Sequence, residues 1–350
     1  MTQDPAPVIK HVHEDFLVRE ALVLELAEGA SAPFQYLTVR KRGLTTTEAV
    51  ELLAAACRVD SSQVTYAGRK DEDGVTEQFL AVPAGSFEAA AEFRHSSGDR
   101  WMTARHYGYG RTALRIGGLP GNSFRIVVRN LPGGHAESLA GHRRMNAFTL
   151  NYYDTQRFGV PTGPKRTHLV GRALLKGDWE TALGEVVRLN APESRGAASW
   201  TGDPADYFRA EDPRKSSFYL AAHASHQWNS ALMEEVSAHC RESQYPTYVD
   251  GLEYRWLHAA EDATRLLSAR SSLPYNRYEL TPTGITRGVS ERPTVLQTVI
   301  DVLDSASDEA HPGRFRATLS FFLTSGGYAT SVVRQVLGYR PWSEQGTARS

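Results

Sequence analysis

Four stretches of the chain gather residue types that can do chemistry. The first is Ala67-Gly68-Arg69-Lys70-Asp71, followed by Val75-Thr76-Glu77-Gln78. A short apolar run, Val64 to Ala67, stops at Gly68, where the chain can turn sharply. Lys70 and Asp71 then stand on a turn at a strand's end, where a carboxylate in a cleft can work as nucleophile or base. A solvated Lys-Asp turn would carry the same residues. The second stretch, Gly121-Asn122-Ser123-Phe124, enters an alternating strand; Phe124 suits a core or a stacking face for a base. The third, Asn151-Tyr152-Tyr153-Asp154-Thr155-Gln156-Arg157-Phe158-Gly159, packs aromatics, an amide and a guanidinium into a helix-to-loop junction. In the fourth, Phe321 to Thr330, Gly326 and Gly327 let a strand turn into a helix with Tyr328 at the bend.

The elements that must position these residues fall into three parts. Up to about residue 150 the pattern is mixed α and β. Phe16 to Leu24, Phe34 to Val39, Gln78 to Val82 and Phe124 to Leu131 read as strands, the last with Phe124, Ile126 and Val128 on one face and Arg125 and Arg129 on the other. Thr45 and Glu48 form a capping box that opens a helix carrying Val50, Leu53, Ala54 and Cys57. Ala136 to Phe148 reads as helical. From Asp154 to His311 the pattern is mostly helical, with a long helix over Lys215 to Cys240. Asp304 to Pro312 resembles a linker, after which Arg314 to Leu323 reads as strand and Tyr328 to Leu337 as helix. This order implies one α+β domain, 1–152 plus 312–350, interrupted by a mainly helical insertion, 153–311.

Composition narrows the class. The 350 residues, 41% of them hydrophobic, suffice for one large core or two ordinary ones. No stretch reaches the roughly 18–20 apolar residues of a membrane span, and the first ten residues show no apolar core of a secretory signal, which makes the cytoplasm the expected compartment. Cys57 and Cys240 belong to no ligand cluster, so no metal site is expected. Thirty-nine basic residues against forty acidic ones give no global basic excess. A nucleic-acid site would therefore draw on local clusters such as Arg40-Lys41-Arg42, Arg143-Arg144 and Lys165-Arg166.

Together the stretches resemble the tRNA pseudouridine synthase D (TruD) family. The family's early Lys and its Glu-Asp-Phe resemble Lys10 and Glu14-Asp15-Phe16. Its Gly-x-Lys-Asp-x-x-x-Val-Thr-x-Gln resembles Gly68 to Gln78, and its Gly-Asn-x-Phe resembles Gly121 to Phe124. Its Asn-Tyr-aromatic-Gly-x-Gln-Arg-Phe-Gly resembles Asn151 to Gly159, and its Ser-aromatic-Ala-Thr-Ser-x-x-Arg-Glu resembles Gly327 to Gln335. The matches run in order across residues 10 to 335.

The resemblance implies a pseudouridine synthase domain with a helical insertion, and a reaction that breaks the N-glycosidic bond of a uridine, turns the base and rejoins it through carbon 5. That chemistry needs neither metal nor redox cofactor. It assigns the working carboxylate to Asp71 and a cationic partner to Lys10, which by itself reads as an ordinary N-terminal lysine; Lys70 is an alternative partner. A carboxylate in a desolvated pocket stays ionised more readily beside a cation. The target base must leave its stack, so Phe124 becomes the candidate platform, Asn122 a pocket group, Tyr328 a second wall, and Gln156 and Arg157 phosphate or ribose contacts or else a structural corner. The implied partner is RNA, with position 13 of tRNA the family's usual target. The chain departs from the family pattern at Thr45, Gly74, Leu150, Asp154, Thr324, Gly327 and Gln335. Asp154, in place of a Gly, adds a negative charge near the expected RNA path. These departures leave room for another RNA, for a role supplying pseudouridine to a C-nucleoside pathway, or for an inactive RNA-binding module.

Overall fold

Alternating apolar residues become strands and the capping box becomes a helix. The computed structural model describes residues 7–29, 31–160, 163–211, 213–240, 246–281 and 284–338. The chain divides into two compact units, Met1–Ala147 with Thr298–Gly326, and Phe148–Gln297 with Gly327–Ser350.

Along the chain, the first unit begins with β1 (Phe16–Ala21), β2 (Leu26–Ala27), β3 (Phe34–Arg42), α1 (Thr46–Cys57), β4 (Thr65–Tyr66), β5 (Val75–Pro83), β6 (Glu92–Ser97), β7 (Arg100–Gly110), β8 (Gly121–Leu131) and α2 (Gly133–Gly141); β9 (Arg144–Leu150) then leads out of it. The second unit holds α3 (Thr167–Leu175), α4 (Trp179–Arg188), α5 (Ser194–Ala198), α6 (Pro204–Ala210), α7 (Pro213–His239), the strand pair β10 (Thr247–Val249) and β11 (Leu252–Tyr254), α8 (Ala260–Ala269), and the hairpin β12 (Ser272–Thr281) and β13 (Gly284–Pro293). The chain returns through β14 (Val295–Ser307) and β15 (Phe315–Thr324), and α9 (Ala329–Gly338) closes the second unit.

The main sheet has eleven strands in the order β2-β7-β3-β5-β1-β8-β15-β14-β9, with β4 on β5 and β6 on β7. Its middle is what positions the site: β1 runs parallel to β5 and antiparallel to β8, with Leu17 opposite Val75 and Val18 opposite Phe124. Gly74 enters β5 so close to β1 that a Cβ would lie 2.6 Å from the Phe16 carbonyl oxygen, and at Gly121 one would lie 2.2 Å from that of Leu323. Glycine is what lets these strands approach. Thr45 and Glu48 do cap α1: the Thr45 hydroxyl accepts from Glu48 N–H at 3.1 Å and the Glu48 carboxylate accepts from Thr45 N–H at 2.8 Å, an arrangement worth about 1 kcal/mol. Val50, Leu53 and Ala54 of α1 then pack on Leu37, Val39, Leu80 and Val82 of the sheet.

In the second unit α7 is the axis. Tyr219, Leu220, Trp228, Leu232 and Val236 are all buried along it, and at Gly171 of α3 a Cβ would lie 2.0 Å from the Tyr219 carbonyl oxygen, so those helices touch backbone to backbone.

Three expectations change. Ala136 to Phe148 is not one helix: α2 ends at Gly141, and buried Met145, Ala147 and Thr149 alternate along β9. The stretch read as mostly helical contains the β12–β13 hairpin, and the apparent linker begins as β14, paired with β15 through Ser307 opposite Phe315. The two compact units divide the chain at 147/148, 297/298 and 326/327, and β14 runs across the second of these divisions.

Candidate active site

β1, β5 and β8 converge on the loop that carries Asp71. Lys10 lies on the N-terminal strap before β1, and its ammonium meets the Asp71 carboxylate at 3.2 Å. The same ammonium lies 4.2 Å from the centre of the Phe16 ring, a cation–π contact. Lys10 itself has φ +58°, a left-handed conformation that costs a residue with a Cβ on the order of 1–2 kcal/mol. Asp71 remains open, with 42% of its side chain exposed against 19% for Lys10. A carboxylate held by one cation and reachable from outside can attack, or take a proton from, a group brought against it.

The loop behind Asp71 is fastened from below by two lysines. Lys41 is fully buried and donates to the carbonyl oxygens of Asp71 at 2.9 Å, Lys70 at 3.5 Å and Leu44 at 2.6 Å. Burial pushes its ammonium down to about 8, against the opposing pull of Asp71 and Glu72. Lys70 turns into a buried ion pair with Glu20 at 2.8 Å, and its N–H donates to the Thr46 hydroxyl at 2.9 Å. Thr46 in turn donates to Gln78 at 3.1 Å. Lys70 therefore anchors the loop, and Lys10 is the cation at Asp71.

Phe124 is mostly covered, at 8% exposure. Its ring stacks on Phe321 with centroids 5.6 Å apart and meets Phe16 edge-on at 6.1 Å, which ties it to the ring under Lys10. Asn122 stands two residues earlier on the same face of β8, opposite Glu20 of β1. Its amide oxygen is buried with no hydrogen-bond partner among the described residues.

The remaining sequence candidates belong to the second unit. Gln156 is exposed. Arg157 donates to the Ser225 hydroxyl at 3.2 Å and lies over the rings of Tyr153 and Phe218. Tyr328 meets Tyr153 edge-on at 5.6 Å, and burial raises its hydroxyl pKa. Asp154 is not an exposed charge: it is buried, has φ −81°, caps the turn Thr155–Arg157 and pairs with Arg334. Gln335, in place of the family Glu, accepts from Leu257 N–H at 3.3 Å and donates to Leu257 O at 2.9 Å, a two-way bond that an ionised carboxylate could not make.

The basic clusters read from sequence are largely occupied by the fold. Lys41 is interior, and Arg42 pairs with Glu14 at 2.8 Å. Lys165 donates to Val160 O, and Arg166 pairs with Glu185; Arg40 remains exposed over Trp101. Sequence reasoning missed Lys41 as an interior group, although period-two counting along β3 places it on the face of Leu37 and Val39. It likewise placed Arg129 on a polar face, where the structure buries it among carboxylates.

A mixed sheet with a lysine-paired carboxylate on a loop at its centre is the class of catalytic scaffold this chain builds. The family model described as tRNA pseudouridine synthase D (TruD) matches residues 2–227, and the chain belongs to that family. It is 28% identical to the tRNA pseudouridine synthase D of Geobacter metallireducens, over 95% of each chain. It is 27% identical to that of Geobacter sulfurreducens, over 94% of this chain and 93% of the other. Its fold is similar to a crystal structure assigned to the tRNA pseudouridine synthase D of Methanosarcina mazei, with TM-score 0.60 at 18% identity over 94% of this chain and 93% of that one.

Proposed function

We propose that this chain is a pseudouridine synthase acting on RNA, with Asp71 as the working carboxylate. The observation that carries the reading is the Lys10–Asp71 pair at 3.2 Å, with the carboxylate left open to a substrate. In the reaction the bond from N1 to C1′ of the ribose breaks and a bond from C5 to C1′ forms. The hydrogen of C5 leaves to solvent and a proton is taken up on N1. Asp71 serves this exchange beside the ribose, as nucleophile at the sugar or as base, and Lys10 holds it charged and in place. Asn122 offers its unpartnered amide oxygen to an N–H or hydroxyl of the extruded nucleotide. Phe124 presents a ring to the base, for which stacking returns about 1–3 kcal/mol.

Transfer RNA is the substrate that the relatives' names carry, and position 13 is the site the family resemblance implies. In this reading 1–152 with 312–350 forms the catalytic domain and 153–311 is an insertion, and Arg157, Gln156 and Tyr328 are contacts for the RNA. The cytoplasm, where tRNA is processed, is the compartment that fits; no described helix is long and apolar enough to cross a membrane. The test is tritium release from tRNA labelled at C5 of uridine. Wild type releases tritium, and Asp71→Asn releases none while binding the same RNA. Equal binding with no release from either protein would make the chain a binding module instead.

A further inference from the structure

The strap that carries Lys10 has little of its own to hold it. Its left-handed backbone at Lys10 is one that a Cβ resists, and among the described residues it joins the sheet at one isolated bridge. Besides the Lys10–Asp71 pair itself, the Glu14–Arg42 ion pair and a ring contact of His11 with His311, two of its fixings lead to Arg129. The Arg129 main chain exchanges hydrogen bonds with Val8, two residues before Lys10, at 2.8 and 2.9 Å. Its guanidinium meets the Asp15 carboxylate, five residues after Lys10, in a two-pronged bond of 2.8 and 3.0 Å. Asp15 in turn accepts from Val12 N–H at 3.2 Å. On its other side the guanidinium donates to Asp308 at 3.0 Å and Glu309 at 2.8 Å. Asp308 also accepts from Asn130 N–H at 2.8 Å and holds His311 Nδ1 at 2.9 Å. The Arg129 side chain is 10% exposed, and those of Asp15 and Asp308 are less so. Bonds to these carboxylates raise the Arg129 pKa, and those Asp308 accepts, from backbone N–H groups, His311 and Arg129, outweigh burial and lower its own. Buried charges paired in this way are weak sources of net stability, so what they hold in place is the feature to explain.

We propose that Arg129 is a positioning residue for the Lys10–Asp71 pair: by gripping the strap on both sides of Lys10 it keeps the ammonium at the carboxylate. The inference rests on reading that pair as the working pair of the enzyme. Arg129→Lys keeps the main-chain bridge and a positive charge but loses the fork to Asp15. It lowers kcat for tritium release severalfold with KM for RNA unchanged, and it raises hydrogen exchange at the amides of 8–12 without raising it in α1. In a Lys10→Met background, whose own kcat is about tenfold down, the same substitution costs less than twofold more, because the ammonium it positions is gone.

A group that merely supported the fold would cost the same factor in both backgrounds, and that additivity would overturn the proposal. So would unchanged exchange at 8–12. If Arg129→Lys does not fold, Asp15→Asn/Arg129→Met/Asp308→Asn, which removes the three buried charges together, takes its place against the same two criteria. Wild-type turnover in Lys10→Met alone would reject the working pair and the clamp with it. Normal dependence on Lys10 with additive Arg129 effects rejects only the clamp.

Discussion

Lys10→Met asks how much of the rate the ammonium supplies and by what route. The ammonium and carboxylate stand 3.2 Å apart. Their attraction at that distance is roughly 1 kcal/mol if water screens it fully and about 5 kcal/mol in a typical protein surround. With 42% of the Asp71 side chain exposed and 19% of Lys10, the lower part of that range applies, about 1–2 kcal/mol. If the attraction is realised in the transition state, kcat falls about 5- to 30-fold. Met keeps a long apolar stem against Phe16, so the packing of the strap is largely conserved. A lysine that handed a proton to the reacting base would instead cost 10²–10⁴ in rate. Single-turnover tritium release at saturating tRNA separates the cases. A loss near tenfold agrees with an ammonium that holds and neutralises Asp71. A rate within twofold of wild type refutes a functional pair, and a loss beyond about a thousandfold refutes the electrostatic account in favour of proton transfer.

Phe124→Ala removes a ring packed on Phe321 and Phe16, so it costs about 3–5 kcal/mol of stability and lowers Tm in a thermal melt. Phe124→Leu keeps most of the volume and the fold, yet loses the stacking face and turns over at least tenfold more slowly; full activity in the Leu variant would make Phe124 core alone. In the second unit, burial first and the neighbouring His226 next hold the imidazole of His168 down to about 3, and burial with His226 holds His223 down to about 4. The unfolded chain takes up these protons near pH 6.5 and the folded chain does not, so stability falls as pH drops from 6.5 toward 4. The loss is roughly 2 kcal/mol per histidine at pH 5. Urea midpoints measured at pH 7 and pH 5 check this, with His168→Gln/His223→Gln flattening the difference; identical midpoints in wild type would contradict it.

The sequence showed β1, β3, β5, β8, β15 and the capped helix, because β-forming apolar residues run along those strands, but it left β6 and β7 unread, since their residues are largely polar and partly exposed. The β12–β13 hairpin was illegible for a like reason: its strands are partly exposed on both faces, so neither face carries an apolar signal. The β9 strand hid behind residues that also suit helices. Asp71, Lys10 and Phe124 came from ordered motifs and the structure draws them together. The tasks of Lys41 and Arg129 could not be read that way, since a charged residue on an apolar face takes its meaning from its partners. Those of Arg129, at Asp15 and Asp308, are 114 and 179 residues away in sequence.

What the motif residues do not bond to separates those that build the site from those available to a substrate. Lys70 is spent on Glu20, Lys41 on three carbonyls, Asp154 on Arg334, and Gln335 on the backbone of Leu257. Each is a polar group whose capacity the fold has used. Asp71 and Asn122 of the first unit differ: Asp71 has one side-chain partner among the described residues and leaves much of its carboxylate open, and the buried amide oxygen of Asn122 lacks a partner among them; the Thr76 hydroxyl is likewise unpartnered, but that residue is fully buried. Leaving a buried acceptor unpaired costs about 1–3 kcal/mol, a penalty that a donor on the substrate would relieve. If Asp71 and Asn122 work as proposed, selectivity at this site rests on a donor presented to Asn122 while the sugar meets Asp71. A nucleotide without that donor would leave the amide oxygen unpaired and bind more weakly by a comparable amount.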